Sequence, residues 1–379
     1  MDEKTSRFRL QAHRLQAVAT IALLGWGFWE GVQALSTPET REKLRQSLSI
    51  EALLDGRLAG AVNHAMAHAL PADPVLRGTG SALRWELFGS AGPQVRAGCD
   101  GWLFLTEELR PWPAPEAAMA ERIAVVERVR EKLASQGIAL LVALVPDKAR
   151  IEAAHRCGIP YSAQSEGRLA ALLDGFAKTL VPVVNLAPVL TAANQDGAAW
   201  YRTDTHWSQE GAAAAAKAVA EAAKRLTPGL EPRAFRTTAA ASPSDGPGDL
   251  IRLMGLDIVP PALRPAPDRQ RLETTEAEAA PAGGGGGGLL DETPAVPVAL
   301  LGSSYSLNAN FHGRLQEALG AEVTNAAQLG GGFHRAAARY LAGATFREAP
   351  PKLIIWEMPE RVMTQPPSDE EKVFLGSWR

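Results

Sequence analysis

Three apolar runs constrain this chain most: Ile138 to Val145 (IALLVALV), Val296 to Leu301 (VPVALL) and Lys352 to Trp356 (KLIIW). A strand with one wet face alternates apolar and polar residues. A run without that alternation belongs to a strand covered on both faces. Between and around these runs lie segments of helical periodicity: Glu116 to Gln136, closed by Gly137, then Ala163 to Leu180, Gln209 to Leu226, Asn310 to Leu319 and Phe333 to Leu341. Shorter strands are expected at Gly101 to Leu105, Val181 to Leu186 and Glu322 to Asn325. Strands alternating with helices predict an α/β fold, a parallel sheet wound by helices on both faces.

The N-terminus carries a different signal. Lys4, Arg7, Arg9 and Arg14 precede an apolar stretch whose usable length is residues 15–35. A spanning helix needs roughly 20 apolar residues. The basic flank predicts a cytoplasmic N-terminus (residues 1–14), a transmembrane signal anchor (15–35) and export of the rest. No small-x-small site follows, which favours an anchor over a cleaved signal peptide. Trp26 and Trp29 are then expected near the outer headgroups. Residues 36–97 read as a helical neck, broken at Pro71, Pro74 and Gly78. Residues 98–362 hold the α/β pattern, and 363–379 read as a surface tail. Residues 228–294, rich in Pro, Ala and Gly with six glycines at Gly283 to Gly288, read as a flexible insertion.

Bulk properties exclude some functions. The formal net charge is −3, and no basic stripe with interleaved aromatics occurs, so no nucleic acid is expected as partner. Two cysteines, Cys99 and Cys157, are free to pair in an oxidising compartment, but spacing does not decide it. No metal or cofactor is expected. His64 and His68, at i and i+4, lack a third ligand nearby. His155 and Cys157 are similarly unsupported, and the glycine run lacks the Lys-Ser/Thr of a phosphate loop.

The chemistry sits in two segments. Tyr201-Arg202-Thr203-Asp204-Thr205-His206-Trp207 pairs a base with a carboxylate two residues away. Gly302-Ser303-Ser304-Tyr305-Ser306 follows a buried strand, at the sheet edge where open α/β folds bind ligands. Serine is a weak nucleophile until an oriented base takes its proton. Asp204, His206 and one of the three serines therefore supply the parts of an acyl-transfer site; spacing does not choose the serine. Lys148 and Arg150, after Val145-Pro146-Asp147, lie near the same edge and are expected to bind substrate oxygens.

Several motifs together resemble the SGNH-hydrolase-like proteins of alginate-type exopolysaccharide O-acetylation. They are Asp100-Gly101-Trp102-Leu103-Phe104-Leu105, Val145-Pro146-Asp147-Lys148, the Asp204–His206 loop, Gly248-Asp249-Leu250, the Ser303–Ser306 turn and Ile354-Ile355-Trp356-Glu357-Met358-Pro359-Glu360-Arg361. The resemblance covers residues 98 to 362 and implies an SGNH-hydrolase-like fold with the triad in Asp-His-Ser order. It selects Ser304 as nucleophile, His206 as base and Asp204 as orienting acid, with Ser303 departing from the family's Asp or Thr. Arg202 and Tyr305, inside the matched motifs, join Lys148 and Arg150 as expected substrate-binding residues. It further implies an O-acetyltransferase in the periplasm, anchored by a single pass in the bacterial inner membrane. Its partners are a polysaccharide and a membrane-bound O-acyltransferase that delivers acetyl groups. An acetylesterase with the same triad and a non-catalytic scaffold subunit are the alternatives.

Overall fold

The computed structural model describes residues 3–279 and 296–378 and divides the chain into two compact units. The run Gly283 to Gly288 lies outside the described residues.

The first unit takes the chain up to Leu83 together with Gly255–Pro260. Its first helix, α1, spans Glu3–Ser36, and Gln11–Ser36 is long and apolar enough to cross a membrane. Leu15, Val18, Ile21, Leu23, Leu24, Trp26 and Trp29 are all exposed along it. Shorter helices follow at Pro38–Gln46, Ile50–Leu54 and Arg57–His68. Thr37 and Ser49 cap the first two by accepting backbone N–H groups of Thr40 and Ala52. The C-terminal end of α1 is tied to this bundle: Glu30 accepts the Ala72 N–H at 2.9 Å, and Met66 abuts Gly31. The helical stretch expected over 36–97 ends at Phe88, because Val95–Ala97 pairs antiparallel with Leu103–Leu105.

The second unit is built on a five-stranded parallel sheet: β1 (Ala139–Val145), β2 (Val183–Asn185), β3 (Val298–Leu301), β4 (Val323–Asn325) and β5 (Leu353–Pro359), in the order β4-β3-β5-β1-β2. Period-two geometry sorts the apolar runs onto two cores. Leu141, Ala143, Val145, Leu300 and Ile355 face one core with helix α4 (Gln209–Leu226) and helix α5 (Phe311–Leu319). Leu140, Val142, Leu144, Leu301, Ile354 and Trp356 face the other with α2 (Pro115–Ala134), α3 (Ala163–Phe176) and α6 (Arg335–Ala342). The doubly covered α/β sheet read from the sequence is therefore the observed architecture.

Two segments differ from expectation. The described part of 228–294 is ordered: Phe235–Ala239 pairs with Glu273–Ala277, and Ser244–Asp245 with Arg269–Gln270. Thr237 and Thr275 bond through their hydroxyls at 2.7 Å, a contact 38 residues apart that composition does not reveal. The segment 363–379, expected as a surface tail, is likewise packed. Asp369–Ser377 is helical, buries Phe374 and Leu375 in the second core, and pairs Glu371 with buried Arg122 at 2.6 Å.

Cys99 and Cys157 form a disulfide with 5.6 Å between their Cα atoms, closing a loop of 58 residues. Chain entropy gives such a loop about 4 kcal/mol of stabilisation. Cys157→Ser is expected to lower the unfolding free energy by that order in urea denaturation with an unchanged far-UV spectrum, and reductant on the parent chain should reproduce the loss.

Candidate active site

The Ser304 turn exists because of what surrounds Gly302. A Cβ there would lie 2.3 Å from the Ser306 hydroxyl and 2.6 Å from a Glu357 carboxylate oxygen, so only glycine fits. Glu357, on β5 beside β3, is buried and gathers the turn. It accepts the Ser303 N–H at 2.7 Å, the Ser303 hydroxyl at 3.0 Å and the Ser306 hydroxyl at 3.0 Å. Burial raises its carboxyl above the ordinary range, and these donors oppose the rise. Two of the three candidate serines are thus structural. Ser304 alone points away, half-buried, with its Oγ 2.7 Å from His206 Nε2.

The base loop is held from several sides. Trp200 and Trp207 bridge its ends, and Ser208 caps α4 by accepting the Gly211 N–H at 3.1 Å. Asp204 Oδ1 takes both the His206 backbone N–H (2.9 Å) and Nδ1 (2.6 Å). Its Oδ2 takes the Asp249 N–H at 2.6 Å. Burial alone would push the Asp204 carboxyl up, but the His206 hydrogen bond and charge and the two backbone donors outweigh it and hold it at about 2. Asp204 is therefore an anion, its hydrogen bond places the proton on Nδ1, and Nε2 is left to accept from Ser304.

The residues expected to contact substrate belong to the scaffold instead. Lys148 is buried and donates to the carbonyls of Leu103, Arg202 and Asp204 at 2.7, 2.9 and 2.9 Å, clamping the base loop to its neighbour strand. Burial brings its ammonium down to about 8. Arg150 pairs with Glu360 at 2.9 Å, and Arg202 with Asp268 at 3.1 Å. Tyr305 is fully buried; its hydroxyl donates to the Thr205 carbonyl at 2.9 Å and its ring meets His206 edge-on. None of the four lines the cavity that holds Ser304. Lys148 and Arg150 follow a strand and so read as rim groups, and Arg202 and Tyr305 lie in the matched motifs; all four are instead engaged by backbone carbonyls and carboxylates.

The cavity has a volume of about 500 Å³ and is lined by Ser304, His206, Asp249, Glu107, Arg110 and Arg361, among others. Asp249 and Arg361 were within matched motifs, yet neither had an expected role. Arg361 follows β5 as Ser304 follows β3, and these strands are neighbours, which brings both to one rim. Its guanidinium is nine-tenths buried, bonded to Glu108 and to the Tyr305 hydroxyl, with Nε 3.5 Å from a Glu107 carboxylate oxygen. A larger cavity of about 1150 Å³ among Arg128, His334, Phe374 and Trp378 contains none of the expected site residues.

Among the described residues, two side-chain clusters have the composition of metal sites. Asp204, His206 and Asp249 bring ligand atoms within 4.8 Å, but both imidazole nitrogens are already engaged by Asp204 and Ser304. Cys99, Asp100 and His155 also converge, with the Cys99 sulfur committed to the disulfide.

Comparison with known proteins gives concordant results. The family model described as the SGNH hydrolase-like domain of the acetyltransferase AlgX matches residues 95–360. The probable alginate O-acetylase AlgJ of Pseudomonas putida is 34% identical over 94% of this chain and 90% of its own length. The Azotobacter vinelandii protein of the same name is 33% identical over 86% and 84%. The solved O-acetyltransferase domain of Pseudomonas putida AlgJ superposes with a TM-score of 0.65 at 32% identity, covering 76% of this chain and 99% of that one.

Proposed function

The chain belongs to the SGNH hydrolase-like acetyltransferase family of AlgX, and from that membership we propose that it O-acetylates an exopolysaccharide through Ser304, His206 and Asp204. The observation that carries the assignment of roles is the unbroken relay from Asp204 to His206 (2.6 Å) to Ser304 (2.7 Å), opening onto a cavity.

The steps follow from that geometry. Ser304 Oγ attacks the carbonyl carbon of an acetyl donor while His206 Nε2 takes its proton. The imidazolium returns that proton to the leaving group, and acetyl-Ser304 remains. A sugar hydroxyl then attacks the acetyl carbon, His206 takes its proton, and Ser304 leaves reprotonated by the same group. Asp204 stabilises the imidazolium in both halves. Each half passes through an oxyanion, for which the Ser304 N–H and the Arg361 cation at the same cavity are the donors we assign.

The donor is supplied by a membrane-bound O-acyltransferase, and α1 anchors the enzyme in the inner membrane with residues 98–362 in the periplasm. The basic flank before α1 and its exposed apolar surface support that placement. The relatives named as alginate O-acetylases support an alginate-type polymer as acceptor.

Incubating the purified chain with an acetyl ester and an oligosaccharide tests the reading. Acetylated sugar is expected; acetate release without acetylated sugar would make the protein an esterase. Asp204→Asn, which keeps the shape but removes the anion, should lower kcat by about 10³–10⁴-fold. Steady-state kinetics at fixed pH measure it.

A further inference from the structure

The Asp204–His206 loop is held by a segment from the described insertion, and the number of contacts is high for so short a stretch. Gly248, in the left-handed region at φ 62°, turns the chain so that residues 249–253 form one helical segment against the loop. Four hydrogen bonds result. The Asp249 N–H donates to Asp204 Oδ2 at 2.6 Å, and the Leu250 N–H to the Thr203 carbonyl at 3.2 Å. In return Thr205 donates its N–H and its hydroxyl to Asp249 Oδ1 at 2.6 and 3.0 Å. The other Asp249 oxygen, Oδ2, lies 3.7 Å from His206 Nδ1, and Asp249 lines the cavity that holds Ser304.

We propose that Asp249 is a positioning residue for the base: one carboxylate oxygen fixes the loop, and the other places a second negative charge beside the imidazole. This rests on the Ser304–His206–Asp204 reading and extends it. The two Asp204 oxygens already take three donors, so its charge is shared among them. The second charge favours the imidazolium that forms each time Ser304 or a sugar hydroxyl gives up its proton. The proximity is mutual. Burial and the Asp204 charge raise the Asp249 carboxyl, while His206 opposes that rise. Other charged or titratable groups around this pair are Lys148 beneath the loop, Asp268 on Thr203, the Tyr305 ring against the imidazole, and Glu107, Arg110 and Arg361 across the cavity.

The test separates clamp from charge. Asp249→Asn keeps an oxygen for Thr205 and removes the charge; Asp249→Ala removes both. The probe is p-nitrophenyl acetate turnover by the full chain in detergent, measured as kcat and KM across pH, with Ser304→Ala as control. Loss of the negative charge removes a favourable partner of the imidazolium. Asp249→Asn should therefore move the acidic limb of kcat/KM to lower pH, with kcat down about tenfold at neutral pH and KM within twofold. Asp249→Ala should lose a further order of magnitude. An Asp249→Asn profile that overlays the parent, with Asp249→Ala impaired, would reduce Asp249 to a structural tie and overturn the proposal. If Ser304→Ala retains parental turnover, the reading of the site itself fails instead.

Discussion

Ser304→Ala is expected to abolish acetyl transfer, lowering kcat by about 10⁴–10⁶-fold while the folded state is preserved. The size follows from the relay. Without the hydroxyl, His206 Nε2 has no group to deprotonate and no acetyl-enzyme forms. The preserved fold follows from the turn itself, because the ties to Glu357 are made by Ser303 and Ser306. Ser303→Ala should behave oppositely. It removes a donor from a buried carboxylate and should cost about 1–3 kcal/mol of stability. Its effect on transfer should be far smaller than that of Ser304→Ala. Parallel activity and thermal-denaturation series on the two variants measure the contrast.

The largest expected stability effect lies beneath the site. Arg168 has no exposed side-chain surface and pairs with Asp147, while its Nε lies 3.6 Å from Glu360. It also donates to the Glu108 carbonyl at 2.9 Å and to Thr364 at 3.3 Å. Asp147 follows β1 and Glu360 follows β5, so this one guanidinium ties together the carboxyl ends of two adjacent strands. Arg168→Met leaves two buried carboxylates short of a partner. Breaking a buried pair from one side costs about 3–5 kcal/mol. Equilibrium urea denaturation at neutral pH should show a loss of that order. The loss should shrink as pH falls. Glu360 already sits above its ordinary range, chiefly through burial and then the Asp147 charge, and losing a cation raises it further. A carboxyl with a raised folded pKa binds its proton more tightly when folded, so acidification returns stability to the variant. A loss independent of pH would place the damage in packing rather than in charge.

The same residues explain what was legible in the sequence. The sheet was legible because its strands are covered on both faces, and double coverage writes itself as uninterrupted apolar runs such as Leu140 to Val145. The pairing of Asp204 with His206 was legible because both lie in one loop. The choice among serines came from resemblance, since its physical cause is a carboxylate on another strand, Glu357, whose sequence neighbours are apolar. Lys148 misled because a lysine after a strand looks like a solvated rim charge; three carbonyls that converge from distant segments make it a clamp. Asp249 was passed over because Pro, Gly and Ala around it have the composition of a linker. Its role depends on a ribbon between Phe235–Ala239 and Glu273–Ala277 that no local pattern announces.

The central claim is that the acetyl group rests on Ser304 between donor and sugar. The direct measurement is to mix the full chain with an acetyl ester in the absence of acceptor, quench in acid, digest, and locate the acetyl group by peptide mass spectrometry. The account predicts acetylation on the peptide carrying Ser304, at that residue, discharged when oligosaccharide is added before the quench. Transfer proceeding at its full rate with Ser304 unmodified, or with the label on another residue, would contradict it.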